Sequence, residues 1–339
     1  MKWRGRRAGP GVAAGVGVPA GRVKFLTARL FRITERIFMP ELAEVDYFRR
    51  RWDPGMGKVV EHLELHAGAR VFRGCETAGW HPLLQGAAME VSLAHGKQML
   101  FGFSGGGWLG VHLGMTGELR VESAGYEPGR HDHLVLRQAG GVLVFADSRM
   151  FGCLRLDVAV GQPPEWWRQL PPAVTSGGFS IDWVDGHLRR RHRSPIKAVL
   201  LDQAVFPGVG NWMADEILWR MGLHPLTPAG NLAGAPSRAL RHHVRWVARR
   251  AMTTIGTDWS EPPASWLYRY RWAAGHRCPR PQCATALVRE EAAGRTSCWC
   301  PSCQPPPDGL TLTRKARPVG TGHRRENPLA TPSARPPLS

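Results

Sequence analysis

The strongest constraint on the fold of this 339-residue chain lies near its C-terminal end. Cys278, Cys283, Cys300 and Cys303 form two pairs, C-x4-C and C-x2-C, separated by sixteen residues. Four thiolates in two close pairs suit one tetrahedral zinc ion, closed and structural rather than catalytic. The alternatives are buried thiols, or disulfides in a secreted protein. Cys75 and Cys153 stand isolated and no apolar signal peptide is evident, so zinc is the expectation. Cys298 is a fifth local cysteine and leaves the ligand set open by one candidate. Inside the insert, Ala-Leu-Val-Arg, Glu-Glu-Ala-Ala-Gly and Arg-Thr-Ser read as strand, turn and strand, which puts Arg295 near the hairpin tip or in its second strand.

A second signal lies at Met39, Pro40 and Glu41. If translation starts at Met39 and the methionine is removed, Pro40 carries a free secondary amine. An α-amino group titrates at about pH 8 against above 10 for lysine, so far more of it is neutral at physiological pH. A neutral amine can attack an electrophilic carbon and form an iminium, with the Glu41 carboxylate beside it to move protons. Taken alone, the tripeptide equally suits a helix start with proline in the first turn.

Together the two ends, Pro-Glu-Leu-x-Glu-Val and Arg-Thr-Ser-x-x-Cys-Pro-x-Cys-Gln, resemble the formamidopyrimidine-DNA glycosylase and endonuclease VIII family. The segments His112-Leu113-Gly114-Met115-Thr116-Gly117, His131-Asp132-His133, Asp147-Ser148-Arg149-Met150-Phe151-Gly152 and Gly208-Val209-Gly210-Asn211 follow in the family's order. The resemblance runs from Met39 to Gln304.

Charge agrees with a polyanionic partner. The chain has 45 Lys and Arg against 27 Asp and Glu, a formal net charge of +18. Residues 1–38 and 305–339 contribute +8 and +4 of this, which leaves +6 for the matching region. No run of eighteen apolar residues occurs, so no membrane span is expected. Residues 1–38 read as a transit-like leader, a basic DNA-binding arm, or sequence upstream of a true start at Met39. The chemistry favours the last, or a processing step, because an internal proline nitrogen is a tertiary amide. Residues 305–339, rich in Pro, Arg, Gly and Thr, are expected to be a disordered basic tail.

The matching region divides by texture into an α+β chain. From Glu44 to Trp52, Val45, Phe48 and Trp52 mark a short helix that stops before Pro54. Met89 to Phe103 is strand-like, and Leu134–Leu136 meets Val142–Phe145 across an Ala-Gly-Gly turn. Short strands with glycine turns predict a two-sheet β-sandwich over 39–170. Residues 171–275 predict a helical domain. There a helix over Ile196–Phe206 is broken by Pro207-Gly208-Val209-Gly210, and Asn211 is an N-cap for a helix ending at Gly222. Ser237 is a cap for the next helix, with Leu240, Val244, Val247 and Ala251 inward and Arg238, Arg241, Arg245 and Arg249 on a solvated face. A zinc-finger hairpin fills 276–304.

The resemblance implies roles for particular residues. Pro40 matches the nucleophile that attacks C1′ of the damaged nucleotide and forms a Schiff base, and Glu41 the acid/base that opens the sugar. β- and δ-elimination then cut the strand on both sides. Lys97 matches a strand lysine that binds phosphate and assists elimination; Asn211 and Arg295 match the other phosphate clamps. A base must leave the duplex to be reached. Met115, Arg149 and Phe151 match the side chains that fill the resulting void, an apolar wedge with an arginine for the orphaned base. Without the resemblance, Met115 and Phe151 read as core residues; His131 and His133 are read as structural throughout. Glu44 matches a structural or proton-transfer carboxylate of the first helix, with helix capping a close alternative. The metal implied is one structural Zn2+ on Cys278, Cys283, Cys300 and Cys303, and the partner is damaged double-stranded DNA, bound by a cytoplasmic, nucleoid-associated monomer.

Several positions depart from the family pattern. Ala43 replaces a second proline, Met150 an arginine, and the first cysteine pair is wider than the common C-x2-C. Thr253–Trp266 is short where purine-specific members carry a lesion-covering loop. The Pro-Glu-Leu opening favours oxidised purines of the formamidopyrimidine and 8-oxoguanine type, and the short segment admits oxidised pyrimidines. A lesion-binding protein without catalysis is the alternative if Pro40 stays internal.

Overall fold

The computed structural model describes residues 39–307; the leader and most of the tail lie outside the described residues. Helix α1 (Leu42–Arg50) is followed by β1 (Val60–Leu65), the short α2 (Trp80–Leu84), β2 (Met89–His95), β3 (Gln98–Phe103), β4 (Gly107–His112), β5 (Gly117–Glu122), β6 (Asp132–Gln138), β7 (Gly141–Asp147) and β8 (Cys153–Val158). The strands form two antiparallel four-stranded sheets, ordered β1-β6-β7-β5 and β2-β3-β4-β8. Registers such as Leu134 opposite Phe145, Leu136 opposite Leu143 and Phe101 opposite Leu109 send alternate side chains inward. Those residues share one core with Trp52, Leu63, Val71, Met89 and Leu154, so the sheets close on each other as the predicted sandwich.

The helices α3 (Glu165–Arg168), α4 (Ile181–Arg190), α5 (Ile196–Leu200), α6 (Asn211–Met221), α7 (Ala235–Met252) and α8 (Ile255–Asp258) follow. They enclose a second core of Val184, Leu188, Val199, Phe206, Trp212, Ile217, Val244 and Val247, into which α1 also inserts Leu42 and Ala43. A hairpin of β9 (Val288–Ala292) and β10 (Arg295–Trp299) completes the described chain.

Several helix ends differ from the sequence expectations. Helix α1 begins at Leu42, two residues before the predicted start, because Glu41 and Glu44 form a reciprocal capping box at its entry. The helix predicted over Ile196–Phe206 stops at Leu200. There Asp202 Oδ1 accepts the Ala204 amide, and the Gln203 side chain binds the Leu201 and Val209 carbonyls and the Gly208 amide, so side chains hold a loop instead. Asn211 is the first residue of α6 rather than its cap, which is Gly210. Ser237 lies inside α7, capped by Gly234 at φ 79°, and donates from Oγ to the Gly234 carbonyl. The arginine face of α7 is only partly solvated: Arg241 donates to the Phe179 carbonyl and Arg245 to those of Thr175 and Ser176.

Candidate active site

Pro40 and Glu41 enter α1 at the seam between sandwich and helices. The Glu41 carboxylate is 2% exposed and accepts three backbone amides across 169 to 172 residues of sequence. Gly210 and Met213 donate to Oε2 at 3.0 Å each, and Trp212 to Oε1 at 2.8 Å. These are the orphan donors at the start of α6, so a side chain from α1 caps a helix of the other core. Gly210 is required for space rather than conformation. Its backbone is extended, and a Cβ there would lie 2.5 Å from Glu41 Cγ.

Two glycines bring the third element in. Gly96, at φ 59°, turns the tip of the β2–β3 hairpin so tightly against the next loop that a Cβ would lie 3.0 Å from the Gly208 amide. Lys97 occupies this turn, not a strand as expected. Burial presses its pKa below the ordinary value, while the charges of Glu41 and Glu44 push it back up and Arg295 presses it down again. Burial raises the Glu41 pKa, against the lowering influence of Lys97 and of the Trp212 and Met213 amides. Glu44 is fully buried; burial and the neighbouring Glu41 charge push it up to about 8. Its oxygens accept from the Glu41 amide at 3.1 Å and Trp212 Nε1 at 3.0 Å. The pair is therefore equipped to hold and hand over a proton near neutral pH.

The zinc-finger hairpin is pinned against the same place. Asn211 Nδ2 donates to Thr296 O at 2.9 Å, which sets Arg295, exposed at the start of β10, beside it. Beneath them Asp215 accepts from Lys197 Nζ at 2.6 Å, from Arg271 at 2.7 Å and from the Cys298 amide at 3.0 Å. Lys197 also donates to Ser297 Oγ at 2.6 Å, so a fully buried cation and a shared carboxylate fasten β10 onto α6. The four cysteines lie with all sulfurs within 4.8 Å of one another. Sulfur–sulfur separations of 3.3, 3.5 and 4.0 Å bracket the roughly 3.8 Å expected between sulfurs about 2.3 Å from a tetrahedral centre. The set can hold a metal ion. Cys298 is outside it, buried over Asp215, and Trp219 Nε1 donates to Cys278 Sγ at 3.3 Å.

Met115, Arg149 and Phe151 form a second group on the β4–β5 and β7–β8 loops. The Arg149 guanidinium lies 4.7 Å from the Phe151 ring centroid, and Phe151 is 37% exposed. Phe151 is thus a surface side chain, not a core one. Gly114, at φ 63°, lets the two loops touch backbone to backbone. Sequence reasoning missed what holds them. The buried Asp147 carboxylate accepts from Thr116 Oγ1 at 2.5 Å, Gly152 N at 2.7 Å and Arg149 N at 3.2 Å. Arg73 donates to the Phe151 and Gly152 carbonyls from the opposite side. His133 donates from Nε2 to Asp147 O at 2.9 Å, a structural contact. His112 joins the two groups: its Nδ1 accepts the Gly114 amide, and burial, Lys97 and Arg73 all lower its pKa. Asp147 sits in the quoted motif, but only its carboxylate geometry reveals the task.

Comparison with known proteins follows the same division. Residues 39–154 match the formamidopyrimidine-DNA glycosylase N-terminal domain, and residues 170–261 the formamidopyrimidine-DNA glycosylase H2TH domain. The chain is 34% identical over 273 residues to the formamidopyrimidine-DNA glycosylase of Roseiflexus sp. (strain RS-1), covering 70% of this chain and 93% of that protein. It is 34% identical over 284 residues to that of Alkalilimnicola ehrlichii, covering 78% and 100%. Lactococcus lactis formamidopyrimidine-DNA glycosylase superimposes with a TM-score of 0.69 at 25% identity, in a complex with Fapy-dG DNA (78% of this chain, all of that one). In a complex with DNA containing an oxidised pyrimidine it does so at the same score and identity (79% and 100%). Fold and site together define a DNA glycosylase of base-excision repair. The chain belongs to the formamidopyrimidine-DNA glycosylase family.

Proposed function

We propose that the protein is a bifunctional glycosylase and abasic-site lyase acting on damaged duplex DNA through Pro40. The observation that carries this reading is the Glu41 carboxylate, adjacent to Pro40, held by three amides and lifted in pKa by burial. A carboxyl in that state is suited to give a proton to the deoxyribose ring oxygen as the sugar opens. The Pro40 nitrogen, once released as an N-terminal amine, attacks C1′. The glycosidic bond breaks, its electron pair leaves with the base, and the amine's proton is lost as the iminium forms. Removal of a C2′ proton then expels the 3′ phosphate, and a second elimination expels the 5′ phosphate. Lys97, electrostatically coupled to Glu41, is assigned to aid those proton transfers and to hold phosphate together with Asn211 and Arg295.

Met115, Arg149 and Phe151 are assigned to the space left by the extruded nucleotide. One Zn2+ on Cys278, Cys283, Cys300 and Cys303 is assigned a structural role, keeping the hairpin and Arg295 in register. The substrate class is oxidised purine of the formamidopyrimidine type. Oxidised pyrimidines are a second reading, favoured by the short α8 segment and by the Lactococcus relative, solved with both kinds of DNA. A bacterial cytoplasmic enzyme working at the nucleoid accords with this activity and with the formamidopyrimidine-DNA glycosylase of Roseiflexus sp..

Borohydride trapping tests the mechanism. Protein beginning at Met39 and the full chain are each mixed with duplexes carrying a formamidopyrimidine, 8-oxoguanine, an oxidised pyrimidine or an abasic site. A covalent complex with the Met39 form, weakened in Pro40→Gly, is expected. Tight binding without a crosslink in either form would make the protein a lesion binder and end the proposal.

A further inference from the structure

The outer face of α7 is not used by the chemistry at Pro40 and Glu41. Leu240, Val244, Val247 and Ala251 turn its inner face into the helical core. The opposite face presents Arg238, Arg241, Arg245 and Arg249 in a stripe roughly 16 Å long at about 1.5 Å per residue. With His242 and Arg250 they line a groove of about 420 Å³ that reaches the first residue of α4, and no acidic side chain lines it. The net charge of the family-matching region is +6, and α7 alone holds five arginines and no acid.

Two of these guanidiniums are fixed in place without being neutralised. Arg241 Nε donates to Phe179 O at 2.6 Å, and Arg245 donates to Thr175 O at 3.1 Å and to Ser176 O. The partners are carbonyls, so the positive charge stays available. On α4, Asp185 is engaged by Arg189 and the Gly234 amide, not by the stripe. Partial burial and the guanidiniums of Arg249 and Arg241 press Arg245 below its ordinary pKa, a repulsion that a polyanion relieves. A surface helix face kept only for solubility normally mixes signs.

We infer that this groove binds the phosphate backbone of a second DNA segment, separate from the one held at the catalytic cleft. Sixteen ångströms along a duplex axis spans about five phosphates of each strand, of which those on the near side face the stripe. The arginines lie on the side of α7 opposite Leu240, Val244, Val247 and Ala251, which face the helical core, across a helix about 10 Å thick. With two segments held at once, the enzyme passes directly from one duplex to another. The inference rests on the reading of the protein as a DNA enzyme.

The test uses a labelled short lesion duplex bound to the Met39-start protein, chased with rising amounts of unlabelled undamaged duplex. The release rate is expected to climb several-fold with competitor in the wild type. It should stay flat in the triple variant Arg238→Ala, Arg249→Ala, Arg250→Ala, which leaves the Arg241 and Arg245 clamps intact. The corresponding triple lysine variant should behave as wild type. The salt slope for the second duplex should fall by about 0.9 per arginine removed. A wild-type release rate independent of competitor overturns the inference. So does equal weakening of the labelled duplex in the alanine variant, which would place the stripe in the primary footprint. Acceleration by polyglutamate but not by DNA would assign the groove to an acidic protein segment and overturn it too. Single-turnover excision on the short duplex, run alongside, tests the proposed function independently.

Discussion

Substituting Gly210→Ala asks whether the Glu41 carboxylate works only where the start of α6 holds it. At φ −122° any residue fits the backbone, so the effect is steric alone. The added Cβ would lie 2.5 Å from Glu41 Cγ, where ordinary contact begins at 3.4 Å, so the carboxyl must withdraw by about 1 Å. That movement lengthens three hydrogen bonds now at 2.8 to 3.0 Å. A misplacement of about 1 Å in a catalytic group costs on the order of 100-fold in rate. Overpacking adds a stability loss of about 1–3 kcal/mol. Single-turnover base excision at saturating enzyme measures the first and thermal denaturation the second. Because the loss acts through Glu41, combining Gly210→Ala with Glu41→Gln should add almost nothing to Glu41→Gln alone. A folded Gly210→Ala enzyme with wild-type rate, or losses that multiply in the double variant, would refute the reasoning.

Asp147→Asn removes the charge that three donors of the two loops share. With charge-assisted bonds at about 1.5–3 kcal/mol, lesion-duplex affinity by fluorescence anisotropy should drop about 10- to 100-fold, with the helical domain's melting unchanged. Glu44 has a folded pKa of about 8, above the ordinary 4.5, so its contribution favours the fold below pH 4.5 and is lost as pH rises toward 8. Glu44→Gln should flatten that decline in melting temperature; an unchanged slope would show that another group titrates. One zinc per chain should be found by mass spectrometry, lost in Cys300→Ser and retained in Cys298→Ser. Chelation should abolish DNA binding, and undiminished binding by metal-free protein would remove the hairpin from the DNA site.

Elements defined by local pattern were legible in the sequence. The β6–β7 hairpin follows from alternation across Ala-Gly-Gly, the end of α6 at Gly222 from a left-handed cap, and the cysteine cluster from the spacing of its pairs, with Cys298 left open. What escaped was set by partners far along the chain. Asn211 looks like a cap because its side chain suits one. The actual partner of the α6 amides, however, is Glu41, and Asn211 is drawn to Thr296 instead. The run Ile196–Phe206 is apolar enough for a helix, but Gln203 bonds loop carbonyls and an amide that exist only once Pro207–Gly210 has folded. Lys97 reads as a strand residue because β2 and β3 are continuous in composition, and only the approach of Gly208 explains a turn at Gly96. Asp147 was visible as part of a motif. Its hold on both loops was not, since one of its donors, Thr116, lies 31 residues away.

The cap that Glu41 places on α6 makes the enzyme its own assembly sensor. Were the sandwich to part from the helices, the Glu41 carboxylate would lose its three amides and its burial together, and with the burial the cause of its raised pKa. On the proposed mechanism, a half-docked molecule, whether newly synthesised, partly melted or clipped between residues 154 and 170, therefore carries its amine beside an ordinary solvated carboxylate. Such a species is poorly equipped to open a sugar on sound DNA. On that mechanism, chemical competence and architectural integrity depend on one side chain.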